Sequence, residues 1–394
     1  MTFPLWPLLA TMAMQTLATM AAYTVPALAP MIARDLGVDG AWAGYFISVV
    51  YGIGIVSSLM AARLIHHLGA VRVSQLILLG TFAMLLISAH GGLAALVLGA
   101  IALGFGYGAS APVSTHLLVP RTPPSIVNLV LSIRQIGVPL GGVLGALLLP
   151  PIALGIGWQN TLLLQVLPVL VLLLLLELPR RSWDRAAGGS APVDKGALPT
   201  QGGLLRASAE MRRLTCACFI YTGTQMCFVA FTVVQLTSRA DFGLVAAGQA
   251  LAVYQIFGVV SRPIWGWLAD AWLPARWLLV CQGFAMAAAT IAAGQFGPAW
   301  PAPLVMLVCA LAGATASGYT GIAYGEYVRL GGAQRTEATG LGSAAMFSGA
   351  LVMPALAALV ATSSGSYAIA YTTVGVLAAA AGVLLASGDR RSRA

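Results

Sequence analysis

The amino-acid sequence predicts an all-α membrane protein of twelve transmembrane helices, arranged as two pseudo-symmetric six-helix bundles. Three observations predict it. Of 394 residues, 59% are hydrophobic and only 8% charged. Soluble domains carry about 25% charged residues, so this chain cannot cover its surface with polar groups and must face lipid over most of it. The apolar residues also fall into runs of membrane-spanning length, and the second half of the chain repeats the first.

Crossing the hydrocarbon takes about 20 helical residues at about 1.5 Å each. Six runs of that size precede the centre: 8–33, 41–65, 73–89, 93–118, 127–149 and 161–176. Six follow it: 214–236, 245–268, 277–293, 304–327, 338–360 and 368–385. Gly and Pro mark most joints, as in GVDG (37–40), RTPPS (121–125) and FGPAWPAP (296–303). No Arg or Lys precedes Arg34. The first run therefore lacks the basic leader of a signal peptide and is expected to be a retained helix. Residues 1–178 are expected to form one bundle and 214–394 a second with a short basic tail. The polar, basic, Gly/Ser/Pro-rich stretch 179–213 reads as a flexible cytoplasmic linker.

The net charge of +9 is a topology signal rather than a nucleic-acid footprint, because the basic residues sit between apolar spans and not on one face. With both termini cytoplasmic, sixteen of the 20 basic residues fall on the inner side. Only Arg34 and Arg239 fall outside, and Arg134 and Arg262 lie within spans. That asymmetry sets the orientation and favours an even number of spans. The expected location is a bacterial inner membrane. The only lysine, Lys195, is not in a phosphate-binding loop. Active transport would therefore run on a gradient or on exchange, with protons or a counter-anion as coupling partner. Cys216, Cys218, Cys227, Cys281 and Cys309 lie in apolar spans with no histidine cluster beside them. No metal, cofactor or nucleic acid is expected. Motifs for hydrolysis in the bilayer, such as HExxH or paired intramembrane aspartates, are missing as well. A functional monomer is expected.

A shift of 204 brings Gly44 onto Gly248, Val56 onto Val260, Ser57 onto Ser261, Leu64 onto Leu268 and Arg72 onto Arg276. Such a duplication is a transporter signature and predicts a solute site near the midplane between the halves. The loop after the second helix of each half carries a marked pattern. In the second half it reads GWLADAWLPAR, supplying Gly266 and Asp270; in the first it reads ARLIHHLGAVR, where only Gly69 and Arg72 keep the pattern and His66 stands at the acidic position. With six plus six helices and a basic central loop, the chain resembles the major facilitator superfamily over nearly its whole length. The resemblance implies a transporter that rocks two halves about a central site. A carboxylate at such a corner can face the positive N-terminus of a neighbouring helix and pair with arginines. Asp270, Glu326, Arg329 and Arg335 are the expected latch, with Gly266, Gly69 and Arg72 in the loops.

Arg134 and Arg262 carry the functional reading. An arginine within a span costs about 2.5–3.5 kcal/mol on insertion scales and usually faces a cavity or a partner. Gln255, Gly258 and Arg262 share a helix face by spacing. The stretch SRPIWGWLAD resembles the same helix in oxalate exchangers and monocarboxylate transporters, where an arginine before proline binds the substrate carboxylate; here that residue is Arg262. SIRQIGVPLGG, with Arg134 and Gln135, looks like a common pattern on the fifth helix of the superfamily. Tyr221, Gln225, Phe228, Thr232 and Gln235 form one face of the seventh span, and Gln15, Thr19 and Tyr23 stack on the first. With Tyr324, these are the candidate cavity residues; packing between helices explains the same stripes. His116 reads as a packing residue. The expected function is secondary transport of a small organic anion, a mono- or dicarboxylate. A proton-coupled drug or metabolite exporter is the alternative, disfavoured because the first five spans contain no carboxylate.

Overall fold

In hydrocarbon a helix satisfies each backbone N–H and C=O within its own segment, so apolar runs of this length fold as helices. The computed structural model describes residues 4–38, 42–187 and 201–387, and among these no strand occurs. The first part of the chain forms α1 (Leu5–Ala27), α2 (Ala29–Leu36), α3 (Trp42–Leu68), α4 (Ala70–Ala89), α5 (Leu93–Tyr107), α6 (Ser110–Leu118), α7 (Val127–Gln135), α8 (Gly137–Ile156) and α9 (Trp158–Leu175). Then come α10 (Arg180–Ala187), α11 (Gln201–Ala207), α12 (Ala209–Arg239), α13 (Leu244–Ala271), α14 (Ala275–Gly294), α15 (Ala302–Ala312), a π-helical turn at Gly313–Ser317, α16 (Thr320–Gly331), α17 (Arg335–Ser364) and α18 (Tyr367–Ala386).

Among the described residues ten stretches are long and apolar enough to cross a membrane. One of them, Ala302–Ser364, holds two crossings, α15 with α16 and then α17. Helix α13, at 28 residues or about 42 Å, is also long enough, which gives the twelve spans the sequence predicts. Large apolar side chains point outward along these helices, among them Leu154 at 80% and Leu147 at 68% exposure. That is the surface of a chain solvated by lipid.

Four predicted spans are broken where sequence reads as continuous. The first splits at Leu28, next to Pro26 and Pro30. The fourth splits at Gly108 and Ala109, where α3 crosses so closely that a Cβ on Gly108 would strike the carbonyl of Gly54. The fifth splits at Ile136, between Gln135 and Gly137. The tenth contains the π-turn. The central linker differs from its reading too. Residues 180–187 and 201–207 are helical, and α12 begins at Ala209 rather than 214. Residues 188–200, with Lys195, lie outside the described residues, as does the basic tail 388–394.

The chain divides into two compact units. The first comprises Met1–Pro123, Arg134–Gln201 and Gly331–Ala344; the second comprises Pro124–Ile133, Gly202–Leu330 and Ala345–Ala394. In the first, α8 lies against α1 along a seam of small residues. A Cβ on Gly137 would fall 2.7 Å from Met12 O, one on Gly141 2.8 Å from Thr19 Cβ, and one on Gly145 3.6 Å from Met20 O. Glycines at i, i+4 and i+8 let two backbones meet without a side chain between them. In the second, aromatic groups fill the core: Phe228 stacks on Tyr254 at 5.4 Å and meets Tyr371 edge-on at 5.8 Å.

Candidate functional site

Each unit buries one arginine within its spans. In the first unit Arg134, 2% exposed, sits at the C-terminal end of α7, where the helix dipole favours a cation. Its Nη2 donates to Gln15 Oε1 at 2.9 Å and to the Ser110 carbonyl at 3.0 Å, and its Nη1 donates to Gln135 Oε1. Gln15 relays this contact along α1. Its Oε1 accepts from Ser110 Oγ at 2.7 Å, its Nε2 donates to Thr19 Oγ1 at 3.0 Å, and Thr19 meets the Tyr107 hydroxyl at 3.1 Å. The structure thus brings Arg134, Gln135 and Gln15 together. Tyr23 lies half-buried, with its hydroxyl 3.3 Å from that of Tyr51.

In the second unit Arg262, 1% exposed, is held by the π-turn. A π-turn shifts the hydrogen-bond register by one residue and frees carbonyls from the regular ladder. Helix α13 takes two of them. Arg262 Nε and Nη2 donate to the Ser317 carbonyl at 3.2 and 3.0 Å, and Trp265 Nε1 donates to the Ala314 carbonyl at 2.7 Å. Arg262 Nη2 also reaches Ser317 Oγ at 3.3 Å, and Gln225 Nε2 reaches the same oxygen at 3.5 Å. Gly258, one turn before Arg262, admits Ser317: a Cβ there would sit 2.6 Å from Ser317 Oγ. Gln225 is therefore placed beside Arg262, while Gln255 is half-buried on α13 and Tyr324 is buried on α16.

Other residues of the stripe expected on the seventh span pack against neighbouring helices. Tyr221 is 0% exposed, gives its hydroxyl to the Leu279 carbonyl at 3.0 Å and meets the Tyr319 ring edge-on. Phe228 is stacked as described, and Gln235 donates to the Ala293 carbonyl at 2.6 Å. A tyrosine that finds its acceptor on the next helix is a packing residue.

The expected latch separates into two contacts, with Arg335 apart from both. Asp270 Oδ1 accepts from the Asn128 amide at 3.1 Å and from Asn128 Nδ2 at 2.8 Å, and Oδ2 accepts from the Leu129 amide at 2.8 Å. Its carboxylate thus caps the first turn of α7, where unpaired amides favour an anion. Gly266, one turn earlier, makes room, since a Cβ there would fall 2.7 Å from Leu129 Cα. Glu326 is elsewhere. Buried at 4% exposure, it forms a two-pronged pair with Arg329 at 2.7 and 2.9 Å; Arg329 also reaches Glu210 at 3.4 Å, and Glu210 lies 4.0 Å from Arg276. Arg335 begins α17, within the first unit.

In the first unit the loop corner uses carboxylates that its own sequence lacks. Gly69, at φ +86°, precedes α4, and Asp184 of α10 fills the space its Cβ would take, at 3.0 Å. Asp184 accepts from the Val71 amide at 3.1 Å. His66 Nε2 lies 3.4 Å from Glu337 Oε1. Neither Asp184 nor Glu337 is marked by its local sequence. Arg72 and Arg276, the pair matched by the repeat, both fasten the end of the sixth span of their half. Arg72 binds Glu177, just past α9, at 3.1 Å, and Arg276 donates to the Leu385 carbonyl of α18 at 2.9 and 2.6 Å. The Gln75 amide, with Arg180 and Arg72, holds the Glu177 carboxyl below its ordinary range. Among the described residues no group of three or more His, Cys, Asp or Glu is placed to hold a metal ion, and all five cysteines are free thiols.

Comparison with known proteins agrees with this architecture. A Major Facilitator Superfamily transporter, FucP, solved in an outward conformation, superimposes with a TM-score of 0.76 at 15% identity, covering 97% of this chain and 98% of its own. A singly substituted form of the E. coli fucose:proton symporter gives 0.75 at 16% identity, over 98% of this chain and 99% of that one. The proton:xylose symporter XylE bound to 6-bromo-6-deoxy-D-glucose gives 0.73 at 13% identity, over 98% and 96%. At these identities the likeness is one of fold. A search of curated proteins returns no match. The family model described as Major Facilitator Superfamily matches residues 11–331, most of the length over which the twelve helices run. The chain belongs to the Major Facilitator Superfamily of transporters.

Proposed function

We propose that this transporter is a secondary active carrier of a small organic anion, a mono- or dicarboxylate, across a bacterial inner membrane. In this reading residues 1–178 and 214–394 are halves that alternate access to the solute, both termini are cytoplasmic, and a proton or a counter-anion drives the cycle. The observation that carries it is Arg262, a guanidinium 1% exposed on an apolar helix and aimed by the Ser317 carbonyl. A cation costing about 2.5–3.5 kcal/mol in the membrane is a functional group by default. Arg134, oriented by Gln15 and Gln135, is the second anchor.

The solved neighbours described as fucose and xylose symporters raise a sugar as the competing solute. Hydroxyl groups are well served by amides such as Gln225, whereas the planar guanidinium fork matches a carboxylate with two parallel hydrogen bonds. Uptake of labelled carboxylates into proteoliposomes, with fucose, xylose and a cationic dye as comparison solutes, tests the assignment. Wild type should take up a carboxylate, Arg262→Ala should lose at least about tenfold, the scale of one lost charge-assisted bond, and Arg262→Lys should retain part. Undiminished carboxylate uptake by Arg262→Ala overturns it. Driving uptake with a pH gradient separates symport from exchange.

A further inference from the structure

We propose that His66 and Glu337 form a pH-dependent pin that holds the first turns of α17 against the end of α3, firm when the imidazole is protonated and loose when it is neutral. His66 Nε2 and Glu337 Oε1 are 3.4 Å apart, with side chains 35% and 9% exposed. Glu337 lies in the first turn of α17. Unpaired amides there favour a carboxylate. His66 occupies the loop position at which the resemblance to the superfamily places an aspartate. The acid has moved to α17 and a titratable base stands on α3. An aspartate carries its charge throughout the physiological range, whereas an imidazole is charged only when protonated.

Other charged and titratable groups stand around this pair, and His66 and Arg335 both act on His116. On α3 itself stand Arg63 and His67. From α17 comes Arg335, beside Glu337; from α6 comes His116, whose Nδ1 meets Thr336 Oγ1 at 3.0 Å. Arg121 follows α6 and donates to the Trp183 carbonyl, and Asp184 is engaged with the Val71 amide. The contact of His116 with Thr336 is a second tie to α17 that needs no charge, so loss of the pin loosens the segment without releasing it. Protonation adds an ion pair to a contact that is otherwise a weak neutral one. The segment is therefore held best at low pH and loosens as pH rises through the imidazole range.

What this means for solute movement rests on the transporter reading above; the physical test does not. Hydrogen–deuterium exchange would be measured on the purified full-length protein in lipid nanodiscs at about pH 5.5 and about pH 8, corrected for intrinsic exchange and read on peptides covering 331–344. Wild type should lose protection by roughly two- to fivefold at the higher pH, the range of a part-exposed ion pair. His66→Arg should stay protected at both values. His66→Ala and Glu337→Gln should show the lower protection at both. Wild-type protection that does not change with pH, or a change that persists in His66→Ala, overturns the proposal. Carboxylate uptake by the same proteins reconstituted into proteoliposomes reports separately on the function.

Discussion

Asp270 shows how a single carboxylate acts at this scale. Its two oxygens take three donors from one helical turn, the Asn128 and Leu129 amides and the Asn128 side chain. Replacing a capping acid with alanine costs about 0.5–2 kcal/mol, and the loss of a favourable dipole contact adds about 0.3–1 kcal/mol. Asp270→Ala is therefore expected to lower the melting temperature of the detergent-solubilised protein by a few degrees. Asp270→Asn, which keeps an accepting oxygen but no charge, should fall between it and wild type. Equal melting of all three would show that the cap carries no stability. The motif containing Asp270 was legible because acid and glycine lie four residues apart, one turn of α13. Asp184 and Glu337 were not. Their importance comes from where α10 and α17 pack, more than a hundred residues from the corner they complete, and no local pattern encodes that.

The helices themselves were legible, since length and hydropathy suffice to find a span. Their breaks were not. The π-turn sits in GATAS, whose small residues give no periodic signal; the bend at Gly108 answers to the passage of α3, a tertiary cause. The same holds for the seventh span, where a polar face is equally consistent with a wet path and with a hydrogen-bonded seam; the partners of Tyr221 and Gln235, Leu279 and Ala293, are not encoded locally. Close helix packing makes a sharper prediction. Gly141 meets α1 so closely that even a Cβ would stand 2.8 Å from Thr19 Cβ, and rigid backbone lies behind it. Overpacking of a filled interior costs about 1–3 kcal/mol or more. Gly141→Leu should abolish a monodisperse peak in size-exclusion chromatography. Gly142→Ala is the control, because its Cβ would find only Tyr23, at 4.0 Å, and it should elute as wild type.

For the molecule as a whole, the arrangement of charge makes the strongest claim. With both termini cytoplasmic, sixteen of the 20 basic residues would lie on one side of the twelve spans, a bias that the insertion machinery reads as orientation. Helix ends near these basic residues carry the structured corners of each unit: Asp270 caps α7, Asp184 accepts from the Val71 amide of α4 and Arg276 donates to the end of α18. Two of the five free thiols, Cys216 and Cys281, are exposed, so labelling needs a background with every cysteine replaced. Into it, single cysteines can be placed at the exposed positions Arg34, Ser238 and Ala333. A membrane-impermeant maleimide added to intact cells should label Arg34→Cys and Ser238→Cys, which follow the first and seventh spans. Ala333→Cys, in the turn before α17, should react only after permeabilisation. The opposite pattern would invert the orientation and move the whole basic face outward. Labelling of all three from one side would break the count of twelve, because between Arg34 and Ser238 the chain must cross an even number of times and between Ser238 and Ala333 an odd one.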